Sequence, residues 1–430
     1  MQIILLSVGS GKRLWPLSND SRSKQFLKLL PAANGGRESM VQRVLRQINE
    51  SGLACPVTIA TSASQKDAII NQLGEEVNVV TEPCRRDTFP AICLATAYLE
   101  MEAKCPMDET VVVMPCDPYT EDRYFHTIAQ MARAVEAHAA DLVLMGVKPT
   151  YPSAKYGYVI PGDETDGIYR VERFTEKPDV PTAEQFIAQG AFWNGGVFAF
   201  RLGYLVDIVR RYMSYGSFAE LRNRYEELPK ISFDYEVAEK AQSVAVIPYD
   251  GEWKDLGTWN TLTDELRDPC VGNVVIDEKT VNTHVVNELE IPVMCLGVKN
   301  LVIAASCDGI LVSEKSQSEN IKHYADRLLR MPMYEERRWG EFKVVSSSEF
   351  ADGGQSFTKQ LRIQAGKEIK NSVQPDFDKV WTVIDGEGEL EMNGITTAMR
   401  RGVTVTIAHG TAHSLRATST LTIVEVESRY

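Results

Sequence analysis

An apolar run of strand type, Ile3-Ile4-Leu5-Leu6-Ser7-Val8, breaks at Gly9-Ser10-Gly11 and passes at once into Lys12-Arg13, with Lys24-Gln25-Phe26-Leu27 close behind. This stretch constrains the fold more than any other. It reads as a strand that ends in a tight loop at the edge of a sheet, where Gly9 and Gly11 let backbone N–H groups approach an anion closely. Arg13 and Lys24 would add charge-assisted contacts to phosphate oxygens. The spacing lacks the Gly-Lys-Ser/Thr ending of a Walker loop and a full G-x-G-x-x-G. On local grounds, a plain glycine turn is the competing reading.

Downstream, strands and helices alternate. One helical face carries Met40, Val41, Val44, Leu45 and Ile48. Strands are expected at 56–60, 77–80, 111–115 and 142–146, with helices at 62–73, about 89–101 and 124–138. That alternation implies a mainly parallel sheet covered on both faces, with ligands beyond the C-terminal strand ends. Gly9, Glu82 and Asp117 all fall at such ends. From about 150 the pattern turns aromatic and irregular, with a helical segment near 203–214, a short helix begun by Asp234 and a strand at 244–247.

Composition changes near 268. The predicted organisation is an α/β catalytic domain over 1–267, a β-rich segment with a connecting helix at 316–330 over 268–335, and an all-β module, sandwich or barrel, over 336–430. A net charge of −13 argues against general binding of nucleic acid or anionic membranes, so an anion site must be a local basic pocket. Eight scattered cysteines with no C-x-x-C pair read as reduced thiols of a cytoplasmic protein. No signal peptide or bilayer-length apolar run is expected.

Asp117 and Asp255 each follow an apolar strand-like run, and two such carboxylates can share one Mg²⁺ whose shell phosphates complete. Glu176-Lys177 pairs an acceptor for sugar hydroxyls with a cation for phosphate. Asn194-Gly195-Gly196 looks like a close-approach loop. Taken singly, these residues read equally well as caps, turns or a solvated pair.

Together, the segment from Leu6 to Ser18 with Lys24-Gln25-Phe26-Leu27 resembles the signature of sugar-1-phosphate nucleotidylyltransferases, most of all bacterial mannose-1-phosphate guanylyltransferases. Supporting segments follow in the family's order: Glu82-Pro83 to Ala91, Pro115 to Asp117, Tyr156-Gly157-Tyr158, Phe174 to Pro178, Trp193 to Phe198, Asp234 to Lys240 and Trp253 to Trp259. The resemblance implies a Rossmann-like nucleotidyltransferase domain and a C-terminal cupin-like barrel similar to a phosphomannose isomerase half. It implies nucleotide contacts from Ser7, Gly9, Ser10, Gly11, Glu82, Asp87, Thr88 and Pro115, and catalytic roles for Arg13 and Lys24. Sugar phosphate contacts would come from Gly157, Glu176, Lys177, Asn194 and Asp234, and Mg²⁺ ligands from Asp117 and Asp255. The implied partners are a nucleoside triphosphate, GTP favoured, and a sugar 1-phosphate, with a homodimer expected by analogy. Another base (CTP or UTP), another sugar 1-phosphate, and a catalytically silent regulatory protein are the alternatives.

Three departures from the family pattern stand out. Val8-Gly9 replaces two glycines, Asp87 replaces an Asn, and Asp117 is followed by Pro118 where a His is usual. Guanine's N1–H and N2–H₂ edge suits the acceptor Asp87. In the cupin-like module Gln374 and Asp376 stand at two expected His ligands, Lys379 at the Glu ligand, and only His413 is kept. A charged ammonium donates no lone pair, so this module is expected to bind no metal and to lack isomerase activity. An alternative ligand set would draw on Asp376, Asp378, His409 and His413.

Overall fold

The computed structural model describes residues 1–9, 11–328 and 331–429, so Ser10 lies outside the described residues. The chain forms two compact units: residues 1–9, 28–66 and 76–256, and residues 10–27, 67–75 and 257–430.

The first unit is built on nine strands: β1 (Gln2–Ser7), β2 (Val57–Ser62), β3 (Asn78–Glu82), β4 (Thr110–Pro115), β5 (Leu142–Val147), β6 (Tyr158–Thr165), β7 (Ile168–Thr175), β8 (Phe192–Arg201) and β9 (Val244–Tyr249). Their order is β3-β2-β1-β4-β8-β5-β9-β7-β6. The strands β3, β2, β1 and β4 run parallel, and β9 is parallel to β5, while β8 runs antiparallel to both β4 and β5. β1 lies between β2 and β4 with Ile3, Ile4 and Leu5 fully buried, as its continuous apolar run requires. Register sets one functional edge: Ser7 pairs with Thr61, Ser62 with Glu82, and Leu6 with Pro115, so the β1, β3 and β4 exits leave the same side.

The helix Thr88–Met101 is apolar around most of its circumference, because it packs against β1–β3 on one side and the helices Leu202–Tyr212 and Phe218–Asn223 on the other. The helix Met40–Glu50 instead shows one buried stripe. Its start is set by a capping box in which the Ser39 hydroxyl accepts from Gln42 N–H and the Gln42 side chain accepts from Ser39 N–H.

In the second unit, short strands over 270–314 pair largely in parallel: Cys270–Val271, His284–Asn287 and Leu301–Ser306 in one sheet, with Val274–Ile276 beside Val293–Cys295. The connecting helix expected over 316–330 is divided. A 3₁₀ stretch, Lys315–Asn320, precedes a helix of five residues, Ile321–Ala325, while residues 329 and 330 lie outside the described part. Ser and Asn are weak helix formers, and here the Ser318 hydroxyl accepts from Asn260 N–H while Asn320 Nδ2 donates to Gln317 Oε1. Ile321 is buried, whereas Tyr324 and Leu328 are exposed. The C-terminal module pairs a six-stranded with a four-stranded sheet around Leu361, Ile363, Trp381, Leu390, Leu415 and Ile423. No helix among the described residues is long and apolar enough to cross a membrane.

Candidate active site

The first unit holds a cleft of about 250 Å³ beyond the C-terminal end of β4. Asp117, Gly157, Glu176, Asn194, Asp234 and Asp255 line it together with Pro115, so seven residues singled out in the sequence meet there. Each arrives by a different element. Pro115 closes β4. Asp117 follows it and opens a two-stranded ribbon, Pro118–Thr120 against Trp253–Asp255, in which Pro118 pairs with Asp255. That register brings the two aspartates to one wall of the cleft although 138 positions separate them in the sequence.

Asn194 does not sit in a loop. It lies within β8, opposite Gly146, and the register slips between Asn194 and Phe198. The slip is a bulge made by Gly195 and Gly196, with Gly196 at φ 70°. The bulge re-aims Asn194: its Oδ1 accepts from Gly196 N–H at 3.1 Å, and its Nδ2 donates to Asp234 Oδ1 at 2.6 Å. Asp234 itself begins a π-helical turn, Asp234–Ala238, rather than an ordinary helix.

Glu176 follows the end of β7 with its side chain only 5% exposed. Its Oε1 accepts from the Lys177 ammonium at 2.6 Å, whereas its Oε2 is buried with no hydrogen-bond partner. Lys177 adopts φ 49°, which turns the chain directly after Glu176. A Cβ on Gly157 would stand 2.4 Å from Glu176 Oε2, so a side chain at 157 would push that carboxylate from its place. Burial raises the Glu176 carboxyl above its ordinary range, and Asp234 adds to the rise. Asp234 is raised as well, again chiefly by burial. Burial disfavours the Lys177 ammonium, but the hydrogen bond and charge of Glu176 together with the charge of Asp234 outweigh this and lift its pKa.

The remaining residues of this unit sit on the exits of β3 and β1. Glu82 is buried and accepts from the Tyr225 hydroxyl at 2.8 Å; burial raises its carboxyl too. Asp87 takes φ 72°, ψ −174°, a region that side chains rarely enter. Its neighbours hold it there. Arg86 donates to Leu228 O at 2.9 Å, Phe233 N–H donates to Thr88 Oγ1 at 2.9 Å, and Asp87 caps the following helix through Thr88 N–H. Ser7 is buried at the end of β1, and Gly9 adopts φ 138°.

In the second unit, Gly11 (φ 59°) approaches Lys24 so closely that a Cβ at 11 would lie 2.5 Å from Lys24 N. The Ser18 hydroxyl donates to Gly11 O at 2.6 Å and closes this loop. Arg13 is exposed on a 3₁₀ turn, Lys12–Leu14, and Lys24 is half-buried at the start of another, Lys24–Phe26. Sequence reasoning missed three cleft residues: Lys155, Trp253 and Tyr156. Tyr156 and Trp253 stood inside recognised segments but bear no charge to mark them, and Lys155 directly precedes the Tyr156-Gly157 pair.

The C-terminal module contains a second group of buried charges. Lys379 lies 3.2 Å from Glu425 Oε2 and 3.1 Å from Glu427 Oε1, and Lys359 also pairs with Glu427. Glu425 further accepts from Trp381 Nε1 at 2.6 Å. His413 Nδ1 donates to Thr411 O at 2.9 Å, and burial lowers the pKa of the ring. The alternative ligand set is not gathered into one site: Asp378 bonds His409, while His413 turns to Thr411. Among the described residues no group of three or more His, Cys, Asp or Glu side chains is placed to hold a metal.

A family model described as nucleotidyl transferase matches residues 2–269. The xanthan biosynthesis protein XanB of Xanthomonas campestris pv. campestris is 28% identical over 99% of this chain and 95% of its own length. The mannose-1-phosphate guanylyltransferase of Escherichia coli K12 is 26% identical over 99% of this chain and 94% of its own. The crystal structure of mannose-1-phosphate geranyltransferase from Thermus thermophilus matches with 31% identity and a TM-score of 0.61, covering 76% of this chain and 98% of that one.

Proposed function

The chain belongs to the nucleotidyl transferase family, and from that premise we propose that it joins a nucleoside triphosphate to a sugar 1-phosphate, with GTP and mannose 1-phosphate as the favoured pair. The observation that carries this reading is the cleft, where two aspartates on one ribbon face an acceptor-rich group, Glu176, Asn194 and Asp234. Hydroxyls of a hexose suit those acceptors, and Glu176 Oε2 lacks a donor that a hydroxyl would supply. Mannose as the sugar rests on the kinship with mannose-1-phosphate guanylyltransferases. Relatives named for xanthan and alginate biosynthesis support supply of a nucleotide sugar to polysaccharide synthesis.

In the proposed reaction an oxygen of the sugar phosphate forms a bond to the α-phosphorus. The bond from that phosphorus to the bridging oxygen breaks, and pyrophosphate leaves with the electron pair. The protein positions the reactants and neutralises charge. Arg13 and Lys24 are assigned to the triphosphate, and Ser7, Gly9, Ser10 and Gly11 to its approach. Glu82, Asp87 and Thr88 are assigned to the base, where the acceptor Asp87 favours guanine. Glu176, Lys177, Asn194 and Asp234 are assigned to the sugar phosphate.

Asp117 and Asp255 fit Mg²⁺. They offer hard oxygen donors from paired strands and form a pair rather than a closed cage, which suits a cation that takes phosphate oxygens as further ligands. Bound there, Mg²⁺ would supply charge neutralisation to the reacting phosphates.

The functional division of the chain follows as 1–267 catalytic, 268–335 β-rich and 336–430 cupin-like. For the last part we infer no isomerase activity, because Lys379, paired with Glu425 and Glu427, puts an ammonium where the resemblance expects a carboxylate ligand. The test is a panel of triphosphates against sugar 1-phosphates, read by pyrophosphate release with and without Mg²⁺, and a separate assay of mannose 6-phosphate conversion to fructose 6-phosphate with added Zn²⁺ or Mn²⁺. Preference for a pyrimidine triphosphate would overturn the guanine assignment, nucleotide binding without turnover would favour a silent regulator, and metal-dependent isomerisation would overturn the reading of the barrel.

A further inference from the structure

We propose that Lys155 binds the phosphate of the sugar 1-phosphate and sets the affinity of the cleft for that substrate. The inference rests on the sugar-phosphate reading above and adds a residue to it. Four carboxylates line the cleft, those of Asp117, Glu176, Asp234 and Asp255, and Lys155 is the one cation among the described lining residues. Lys177, assigned above to the sugar phosphate, stands beside the cleft and bonds Glu176 through its ammonium, so Lys155 acts alongside it. A phosphate monoester brings close to two negative charges into this acidic surface. A divalent cation held by Asp117 and Asp255 would be matched in charge by those two carboxylates, so a phosphate entering the cleft gains from a further positive group, which Lys155 supplies beside Lys177.

The loop is built to hold this residue in place. Ser153 N–H donates to the hydroxyl of Tyr158 at 2.9 Å, and Lys155 N–H donates to Ser153 Oγ at 3.1 Å. Ser153 and Tyr158 are buried, so the short turn is tied to the start of β6. The next residue, Tyr156, packs its ring against Trp193 at 4.8 Å and Trp253 at 5.4 Å. Trp253 lies two residues before Asp255 on the ribbon. The main chain of Lys155 is therefore fixed relative to the aspartate pair, while its exposed side chain contributes nothing to the core.

The experiment is steady-state kinetics of the full chain and of Lys155→Ala and Lys155→Arg, in both directions, with mannose 1-phosphate and GTP forward and GDP-mannose and pyrophosphate in reverse. Lys155→Ala should raise KM for mannose 1-phosphate at least tenfold while KM for GTP and for pyrophosphate stays within twofold. Lys155→Arg should recover most of the loss. Thermal midpoints should match among the three proteins, because the side chain is exposed. An unchanged KM for mannose 1-phosphate in an active Lys155→Ala enzyme, or an equal rise for GTP, would overturn the proposal alone. If the unmodified protein turns over no sugar 1-phosphate, the functional reading fails first and this assignment with it.

Discussion

The cleft beside β4 and the interior of the C-terminal module both gather carboxylates, and they balance them in opposite ways. In the cleft four carboxylates face one lining lysine, and one oxygen of Glu176 is buried without a partner. In the module Glu425 and Glu427 are matched by Lys359 and Lys379, all four nearly buried. A buried carboxylate oxygen without a donor costs stability, so Glu176 Oε2 supports the proposed binding site. The quartet instead matches two carboxylates with two ammonium groups, and Glu427 Oε1, which accepts no hydrogen bond, still has the Lys379 charge beside it. Burial opposes ionisation of Glu427, yet the two lysines hold its carboxyl below the ordinary range, whereas Glu176 and Asp234 are pushed above it. The difference in sign separates a closed ionic core from an open site.

The largest effect expected is at the ribbon. Asp255→Ala should lower the rate of pyrophosphate release by about a thousandfold at saturating Mg²⁺, as loss of several kcal/mol of charge stabilisation requires. Retention of a tenth of the rate would refute the metal assignment. The barrel should respond through stability instead. Lys379→Ala leaves two buried glutamates with one lysine and should cost about 3–5 kcal/mol, read from the urea midpoint of the module's transition. Turnover at 25 °C under native conditions should be little changed, and a large loss of kcat with intact stability would erase the contrast between the regions.

Within the cleft, Glu176→Gln keeps the shape and removes the charge. It should raise KM for the sugar phosphate roughly tenfold or more, as expected for a charged hydrogen bond of about 1.5–3 kcal/mol. No change would mean that Oε2 has another role. The smallest effect is the pH response of the ligand-free protein. Folded-state pKa values of Glu176 and Asp234 lie above their unfolded values, so the folded chain binds more protons in that window. Their contribution to stability should fall as pH rises from the ordinary carboxylate range through the raised values. Scanning calorimetry of Asp234→Asn should show a flatter profile there than the unmodified protein, and an identical slope would count against the shift.

Much of the first unit was legible in the sequence because long apolar runs alternate with amphipathic segments. The strand Thr110–Pro115 and the helix Met40–Glu50 fall within a residue or two of where periodicity puts them. Where local chemistry and periodicity disagree, the reading was weaker. The Ser- and Asn-rich stretch after Lys315 broke an expected helix, and Asn194-Gly195-Gly196 proved to be a bulge inside a strand. Glycines favour a loop locally, but the ladder to β5 and β4 continues on both sides of them and keeps the segment in the sheet.

By itself, the sequence determined which residue types occupy the strand exits and that Asp117 and Asp255 are available as hard ligands, since these follow from residue identity and order, while the family resemblance implied a lysine, Lys379, where a carboxylate is expected. Tertiary structure alone decided that Asp117 and Asp255 share a ribbon, that Glu176 Oε2 is left without a donor, that Lys155 enters the cleft, and that Lys379 meets two glutamates. The reason is physical. Strand register and side-chain burial depend on partners far away in the chain, and no local pattern carries the distance between them.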